Sequence, residues 1–288
     1  MNRISSLRAQ AEQEEPAKQT CSECLSLETD AQGRIPIATD WLTILSILEN
    51  IENFYLQTRH AYGRLISKKA PTGLAWLEEG LFATDKAGSI LLYPNNTYNV
   101  WGYVGHCNCC GSPGRIDFCN EYGLDMMQIC CPANIEAIKW GRLIAQCSSA
   151  QPRTPTLART ERIPIIPGNA KRLEVEPRAV TTLIDWIANN EASFIATLIS
   201  TGIIQRREIK PVYVDWNEHL LRTTDKEVTL QLGLPAVRSI FIVDHLDAPR
   251  FFIAGPDNVQ LLAIEPPENP ERREAFLEAV SSFLSNSV

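Results

Sequence analysis

The sequence predicts an α+β protein in which one helix-then-sheet unit occurs twice, and three observations lead to this fold class. Apolar residues recur at helical spacing from Trp41 to Phe54 and again from Val180 onward. In each half, strand-like segments follow the helix, and a further amphipathic segment closes the half. A proline-rich stretch separates the halves, and proline disfavours both helix interiors and central strands. This order indicates a duplicated unit, each copy an antiparallel sheet flanked by helices.

The order of elements divides the 288 residues into four segments. A polar N-terminal arm covers 1–39, a first repeat 40–147, a proline-rich linker 148–177 and a second repeat 178–288. The arm is rich in Glu and Gln without a clear period, which is typical of a frayed terminus.

Each repeat has its own series of expected elements. In the first repeat these are a helix over about 40–54, strands within 89–105 and 115–131, and a helix over about 134–147. In the second they are a helical region from about 180 to 202, strands within 228–244 and 250–264, and a helix over about 271–284. Aligning the strands places Val104 on Val243 at a spacing of 139, and Arg115 on Arg250 at a spacing of 135. The shared order of elements, rather than identity between the copies, favours duplication.

Composition excludes several classes of partner. The formal net charge is -7, which argues against non-specific binding to nucleic acid or to an anionic membrane, because both require positive charge. No apolar run approaches the roughly 20 residues needed to cross a bilayer, and the N-terminus lacks the apolar core of a secretory signal. We therefore expect a cytoplasmic protein without membrane insertion and without a nucleic-acid partner; a homodimer stays open.

The sequence contains none of the short motifs that mark common catalytic or nucleotide sites. There is no G-x-S-x-G, no P-loop, no G-x-G-x-x-G and no H-E-x-x-H. Acidic residues are plentiful, but none has a spacing that argues for paired acid–base work. The sequence therefore gives no support to an enzymatic activity.

Cysteine is the first residue type whose pattern suggests chemistry. The chain has nine cysteines, and a reducing cytoplasm keeps thiols free or metal-bound. A C-x-x-C in the arm and an H-C-x-C-C cluster in a predicted hairpin loop could together supply the four ligands of one tetrahedral zinc ion. The candidate ligands are Cys21, Cys24, His106, Cys107, Cys109 and Cys110. Such a site would pin the arm to the sheet; unligated loop thiols or transient disulfides are the alternatives.

The other four cysteines lie in predicted apolar strands or in a helix. They are Cys119, Cys130, Cys131 and Cys147. A cysteine in such surroundings behaves as a small hydrophobic residue. We expect these thiols to be buried and inert.

Several short segments together resemble a known family. In the first repeat they are Thr58-Arg59-His60, the strand pair within ILLYPNNTYNVWGYV, and the hairpin at 118–123. In the second repeat they are Trp186, Phe194, Leu198, Gly202-Ile203, Arg206, and the hairpin segments 241–244 and 251–256. They resemble the cytoplasmic haem-trafficking and haem-degrading proteins of the HemS/ChuS/PhuS type, which are tandem duplications related to the single-unit ChuX/HutX carriers. The resemblance runs from about residue 40 to 284 and implies a HemS-like tandem fold.

The chain departs from the family at the positions that the resemblance assigns to haem. The family's iron-ligating histidine lies on the first helix of the second half, where 189–194 contains no histidine. The family's arginine on the other side of the haem falls on Leu91 or Leu92, and its Gln-Ile-His becomes 251–253, Phe-Phe-Ile. The scaffold is therefore expected to be retained with degenerate haem ligands, and fold alone does not carry function.

Two basic spots in the sequence are the candidates for ligand binding. Haem requires an axial donor such as histidine and cations for its propionates. His60, beside Arg59, is the best candidate ligand, and Arg206 with Arg207 forms the densest basic spot of the second repeat. A surface histidine and an ordinary solvated turn are the respective alternatives.

The leading hypothesis is a cytoplasmic protein of haem utilisation and iron transport. It binds haem, or a related flat anionic small molecule, in an apolar cleft with basic residues at its mouth, and hands the ligand on. The first alternative is a zinc-stabilised structural or interaction protein that no longer binds haem. The second is a haem-degrading enzyme, which ranks last because the expected histidine is absent.

Overall fold

A computed structural model provides the structure of the protein. It describes residues 33–37, 54–60, 62–68, 73–77, 80–85, 88–93, 96–107, 112–121, 123–131, 135–148, 171–173, 178–245, 248–256 and 259–287. The predicted helix over 40–54 and the cysteines of the N-terminal arm lie outside these ranges.

Nine strands come from the part of the chain before the linker. They are β1 (Ile35–Ile37), β2 (Tyr55–His60), β3 (Gly63–Ser67), β4 (Gly73–Leu77), β5 (Gly80–Asp85), β6 (Gly88–Leu92), β7 (Asn99–Cys107), β8 (Ser112–Cys119) and β9 (Asp125–Cys130). Helix α1 (Ala137–Gln146) follows. The predicted strands and closing helix of the first repeat are all present.

Nine further strands come from the later part of the chain. They are β10 (Lys171–Leu173), β11 (Phe194–Ser200), β12 (Ile203–Ile209), β13 (Tyr213–Trp216), β14 (Leu220–Thr224), β15 (Val228–Gly233), β16 (Ser239–His245), β17 (Ala248–Ala254) and β18 (Gln260–Glu265). The helices are α2 (Arg178–Asn189) and α3 (Pro270–Ser287), and a 3₁₀ turn spans Leu234–Ala236.

The strands form two antiparallel sheets of nine strands each. The first sheet has the order β1-β7-β8-β9-β2-β3-β15-β14-β13, and the second has the order β10-β16-β17-β18-β11-β12-β6-β5-β4. Each sheet thus takes six strands from one half of the chain and three from the other. The predicted tandem α+β duplication is confirmed, and the exchange of three strands ties the two copies together.

Strand pairing gives the correspondence between the copies residue by residue. His60 pairs with Gly63 across a two-residue turn, and Ser200 pairs with Ile203 across another. These turns occupy the same place in the two sheets, so Gly63 corresponds to Ile203, 140 positions later. Val228 opposite Ser67 and Gly88 opposite Arg207 preserve the same spacing.

The same correspondence tests the alignment made from sequence. Followed outward through the ladders, Arg115 takes the place of Arg250, which confirms the predicted spacing of 135. Arg115 faces Tyr103 and Arg250 faces Val243, so Val243 corresponds to Tyr103 rather than to Val104. The predicted spacing of 139 for this strand was wrong by one residue, because β16 is buried at four consecutive positions, 239–242, and a continuous buried run does not show which residues share a face.

The helical region predicted from Val180 to Gly202 is wrong in its second part. Helix α2 ends at Asn189, and Glu191 adopts a left-handed φ of 53° in the turn that follows. Phe194–Ser200 is strand β11, buried on both faces except at one position. A strand buried on both faces reads as a continuous apolar run, which periodicity does not separate from a buried helix.

The hydrophobic core forms two main clusters. The larger one joins α2 and α3 to the second sheet and to the three strands that cross into the first sheet. The smaller one lies under α1, where the Trp140 indole Nε1–H donates to the Tyr103 carbonyl over 2.8 Å. Gly114 is directly below this indole, and a Cβ there would collide with Trp140. The helices therefore cover one face of each sheet and leave the hairpin ends of the strands open.

Candidate functional site

A cavity of about 690 Å³ opens at the turn between β2 and β3. Strand β15 and the 3₁₀ turn of the second repeat form its opposite wall. Its volume falls in the range of about 300–1,000 Å³ that is typical of small-molecule sites. Because β15 crosses from the second repeat into the first sheet, the cavity is built from both copies of the duplicated unit.

His60, at the end of β2, lies in this cavity wall. The Tyr62 backbone N–H donates to His60 Nδ1 over 3.1 Å, so Nδ1 carries no proton. His60 Nε2 lies 2.8 Å from the Leu261 carbonyl oxygen, which can only accept, so Nε2 carries the proton and donates. The imidazole therefore bridges the first sheet to β18 of the second sheet.

Arg59 and Arg64 stand opposite each other on neighbouring strands, and Arg64 in turn stands opposite Gln231. All three residues line the cavity. Like charges placed directly opposite in a sheet repel each other. Arg59 is compensated, because its Nη2 lies 2.6 Å from Asp125 Oδ2. Arg64 is exposed, and its guanidinium forms no hydrogen bond or ion pair with any described residue.

Arg238 supplies a third guanidinium to the lining. Its Nη1 donates to the carbonyl oxygens of Pro235 and Val237, at 2.7 and 3.1 Å, and to no carboxylate among the described residues. Among the described residues of the lining, Asp125 is the one acidic side chain. Three guanidiniums against this carboxylate give the described wall a positive excess, which favours an anionic ligand.

The remaining wall of the cavity is apolar. Leu124 is 44% exposed, Leu220 37% and Tyr62 42%, and Pro235 and Pro256 complete the rim. Large apolar side chains with this much exposure, grouped around one cavity, are typical of a ligand site. A ligand that matches both parts of the wall has an apolar body and at least one anionic group.

A buried acid lies behind Asp125. Asp117 is fully buried, and Arg115 Nε donates to both of its carboxylate oxygens at 3.0 Å. Burial raises the pKa of Asp117 to about 6, with Arg115 opposing the rise and Asp125 adding to it. Burial, together with the charge of Asp125, also raises the pKa of the Cys119 thiol, which donates to Asp125 Oδ1 over 3.2 Å. The protonation of this cluster is thus linked electrostatically to the cavity wall.

Arg206 and Arg207, the predicted basic spot of the second repeat, are not in the cavity lining. Arg206 pairs with Glu265 at 3.3 Å and with Glu268 at 2.6 Å. Burial lowers the pKa of Arg206, but the hydrogen bond to Glu268 and the charge of Glu265 outweigh it and raise the pKa overall. Arg207 is 1% exposed. In this structure, both arginines belong to the packing of β12.

Most of the predicted zinc ligands lie where the structure gives no description. Cys21, Cys24, Cys109 and Cys110 are outside the described ranges, Cys107 ends β7, and His106 is exposed on the same strand. Within the part of the chain that the structure describes, no group of three or more His, Cys, Asp or Glu side chains could hold a metal ion. The zinc site therefore stays a prediction. Cys119, Cys130 and Cys131 are buried, as expected, whereas Cys147, predicted to be buried with them, is only half-buried just after the end of α1.

The corresponding turn of the second sheet carries different side chains. The backbone is alike in both: Gly233 N–H donates to the Tyr62 carbonyl over 2.7 Å, and its counterpart Tyr93 N–H donates to the Gly202 carbonyl over 2.8 Å. Where the cavity has Tyr62, the second sheet has Gly202, and a Cβ there would lie 2.6 Å from Asn96 Cβ. The difference between the two places is therefore made by side chains.

Sequence reasoning identified part of the cavity wall and missed the rest. His60 and Arg59 were predicted as ligand-binding residues, and both line the cavity. No pattern in the sequence marked Tyr62 as a ligand-binding residue, apart from its position just after Arg59 and His60. Arg238 and Asp125 come from distant strands, and only the sheet brings them to His60. Gln231 could have been found by aligning the copies, because it corresponds to Leu91, where the resemblance places an arginine.

Comparison with known proteins bears on the fold. No family model and no curated protein matches the sequence. Among solved structures, ChuS, described as an E. coli haem oxygenase, matches at a TM-score of 0.72 and 11% identity, over 87% of this chain and 89% of ChuS. Holo-PhuS, a haem-binding protein from Pseudomonas aeruginosa, matches at a TM-score of 0.68 and 12% identity, over 84% of this chain and 86% of PhuS.

A second structure of ChuS, described as a haem-degrading enzyme of Escherichia coli O157:H7, matches at a TM-score of 0.71 and 12% identity, over 86% of each chain. None of the helices within the described ranges is long and apolar enough to cross a bilayer. The matches extend over both repeats, so they cover the strand exchange as well as the single unit. The chain therefore has the tandem α+β fold of ChuS and PhuS, and the HemS-like resemblance found in its sequence is confirmed at the level of the fold.

Proposed function

We propose that this protein binds haem, or a related flat anionic ligand, in the cavity beside His60, and passes it on without transforming it. The observation that carries the proposal is the composition of the cavity wall. It combines exposed apolar side chains with Arg64 and Arg238, which no described carboxylate neutralises. The fold supports the proposal, because ChuS and PhuS are described as haem-degrading and haem-binding proteins.

The donor set of the cavity fits haem. Haem iron is ligated in proteins by His, Cys, Met or Tyr, and cationic side chains neutralise the propionates. The lining offers His60 and Tyr62 as donors, with three arginines around them. Bound haem would supply an iron centre to this site, while Arg64 and Arg238 would hold its carboxylates and Leu124 and Leu220 would cover its apolar ring.

The location also supports a displaced site. The resemblance places a haem-facing arginine at Leu91 or Leu92 in β6, within the second sheet. The counterpart of Leu91 in the first sheet is Gln231, which lines the cavity. The second sheet has leucine at this position, and the first sheet has glutamine. The ligand is thus proposed to bind at the place beside His60 in the first sheet, rather than at the corresponding place in the second sheet.

Titration of the purified protein with ferric haem tests the proposal. We expect a Soret shift that saturates at one haem per chain. Leu220→Glu places a carboxylate in the cavity wall and should weaken binding on the order of tenfold, because the ligand's anionic groups are repelled. Tyr213→Glu is the matched control, since Tyr213 is 53% exposed on the neighbouring strand but does not line the cavity.

The absence of any Soret shift in the wild-type protein, or equal effects of the two variants, would exclude haem binding at this cavity. Titration with iron-free protoporphyrin then distinguishes a requirement for iron from a requirement for the flat anionic ring alone. Addition of a reductant to the haem complex separates a carrier from a degrading enzyme. We expect the Soret band to persist, and its progressive loss would favour haem degradation.

A further inference from the structure

Among the described residues of the cavity lining, two carry side chains that can ligate haem iron. They are His60, the last residue of β2, and Tyr62, in the two-residue turn that follows it. Their rings lie edge to face, with centroids 6.3 Å apart and an angle of 61° between the planes. One ligand held in this cavity would contact both side chains. Their existing hydrogen bonds determine which of them is available as a donor.

His60 is already engaged at both ring nitrogens. Nδ1 accepts the Tyr62 backbone N–H, and Nε2 donates to the Leu261 carbonyl. Ligation through Nε2 would break the bond that joins the first sheet to fully buried Leu261 of the second sheet. Ligation through Nδ1 would take the lone pair that holds the turn. Ligation through either nitrogen therefore breaks a hydrogen bond that stabilises the fold, and it also removes the imidazole from solvent.

Tyr62 has the opposite character. Its backbone is fixed on both sides, because its N–H donates to His60 Nδ1 and its carbonyl accepts from Gly233 N–H over 2.7 Å. Its side chain is 42% exposed, and its hydroxyl makes no hydrogen bond to any described residue. A donor on a fixed backbone, with its functional group unoccupied, needs little rearrangement to bind a ligand.

We infer that Tyr62 is the residue that ligates the iron of haem bound in this cavity, and that His60 is a positioning residue that holds the Tyr62 turn. This inference rests on the proposed function. The bond forms between the phenolic oxygen and ferric iron while the phenol proton passes to solvent, so no oxidant or reductant is needed.

Spectroscopy of the ferric haem complex of the full-length chain tests the assignment. We expect the wild-type protein to show a phenolate-to-iron charge-transfer band and phenolate vibrations in resonance Raman spectra. Tyr62→Phe should remove both signals and weaken haem binding on the order of tenfold or more. His60→Asn offers an amide oxygen that can accept the Tyr62 N–H, and it should keep both signals. Thermal unfolding of each variant shows that the fold is intact.

The outcomes separate this inference from the proposed function. A wild-type protein without any Soret shift would remove both. A Soret shift without phenolate signals, or a Tyr62→Phe spectrum that matches the wild type, would overturn the ligand assignment and leave haem binding in place. A folded His60→Ala variant, which offers no acceptor to the Tyr62 N–H, should weaken the phenolate signals that His60→Asn keeps. Unchanged signals in His60→Ala would overturn the positioning role of His60.

Discussion

The uncompensated charge of Arg64 allows a graded prediction of ligand affinity. Arg64→Gln removes a guanidinium that faces the cavity, and Arg222→Gln removes one in the same cross-strand row, beyond Gln231. Arg64 and Arg222 are separated by β15, and strands lie about 4.8 Å apart, so the two positions are about 10 Å apart. Arg178→Gln, at the exposed start of α2, is the matched control.

The expected magnitudes follow from these distances. A ligand carboxylate about 4 Å from Arg64 in water gains about 1 kcal/mol, which corresponds to about a fivefold increase in Kd when the charge is removed. At about 10 Å the unscreened energy is about 0.4 kcal/mol. Salt at about 0.1 M reduces that energy to roughly a third, since the Debye length is also about 10 Å. Arg222→Gln should therefore raise Kd by only about 1.3-fold.

Haem titrations followed by absorption, at about 0.1 M and at about 1 M salt, measure these changes. We expect the order Arg64→Gln, Arg222→Gln, Arg178→Gln in decreasing effect, with the differences largely lost at high salt. An equal Kd for Arg64→Gln and Arg178→Gln at low salt would refute the reasoning. So would an effect of Arg64→Gln that high salt leaves unchanged, because that would indicate lost packing rather than lost charge.

Two further predictions concern the buried acid and the cysteines. The folded pKa of Asp117, about 6, is higher than its ordinary value of 3.8, so its contribution to stability is fully present below about pH 4 and is lost as the pH rises through 6. The full loss is about 3 kcal/mol. The free energy of unfolding measured in urea should therefore decrease less between pH 4.5 and pH 7 in Asp117→Asn than in the wild type. Equal decreases in the two proteins would contradict this prediction. For the cysteine clusters, metal analysis of the purified full-length chain should find about one zinc per chain, lost in Cys21→Ser/Cys24→Ser; metal-free protein with all thiols reactive would exclude the zinc site.

The cavity beside His60 and the corresponding place beside Gly202 differ in their side chains, and duplication makes such a difference easy to acquire. Both retain the backbone hydrogen bond between the turn and the crossing strand. In one, Gly202 and Asn96 are in close contact, while in the other their counterparts, Tyr62 and Ala236, line an open cavity. Because the scaffold is stabilised by both copies, one place can lose its ligand while the other acquires new side chains. A binding site beside His60 would thus be compatible with the loss of haem ligands that the resemblance predicts.

Local patterns in the sequence determined the duplication, the strands within 89–131 and 228–264, the helix that closes each repeat, and part of the site. The spacing of 135 between Arg115 and Arg250 follows from alternation in two hairpins, and His60 with Arg59 follows from residue type and a short resemblance. These features depend on near neighbours along the chain, whose side-chain period is visible in the sequence.

The tertiary structure alone decided how the copies combine and which residues meet. The exchange of β4–β6 and β13–β15 between sheets leaves no local pattern, since a crossing strand has the same alternation as any other. Strand β11 was taken for helix because burial on both faces removes that alternation. The bond from His60 to Leu261 joins residues 201 positions apart. It forms because two sheets pack against each other, and packing between distant segments is the part of the fold that no short stretch of sequence encodes.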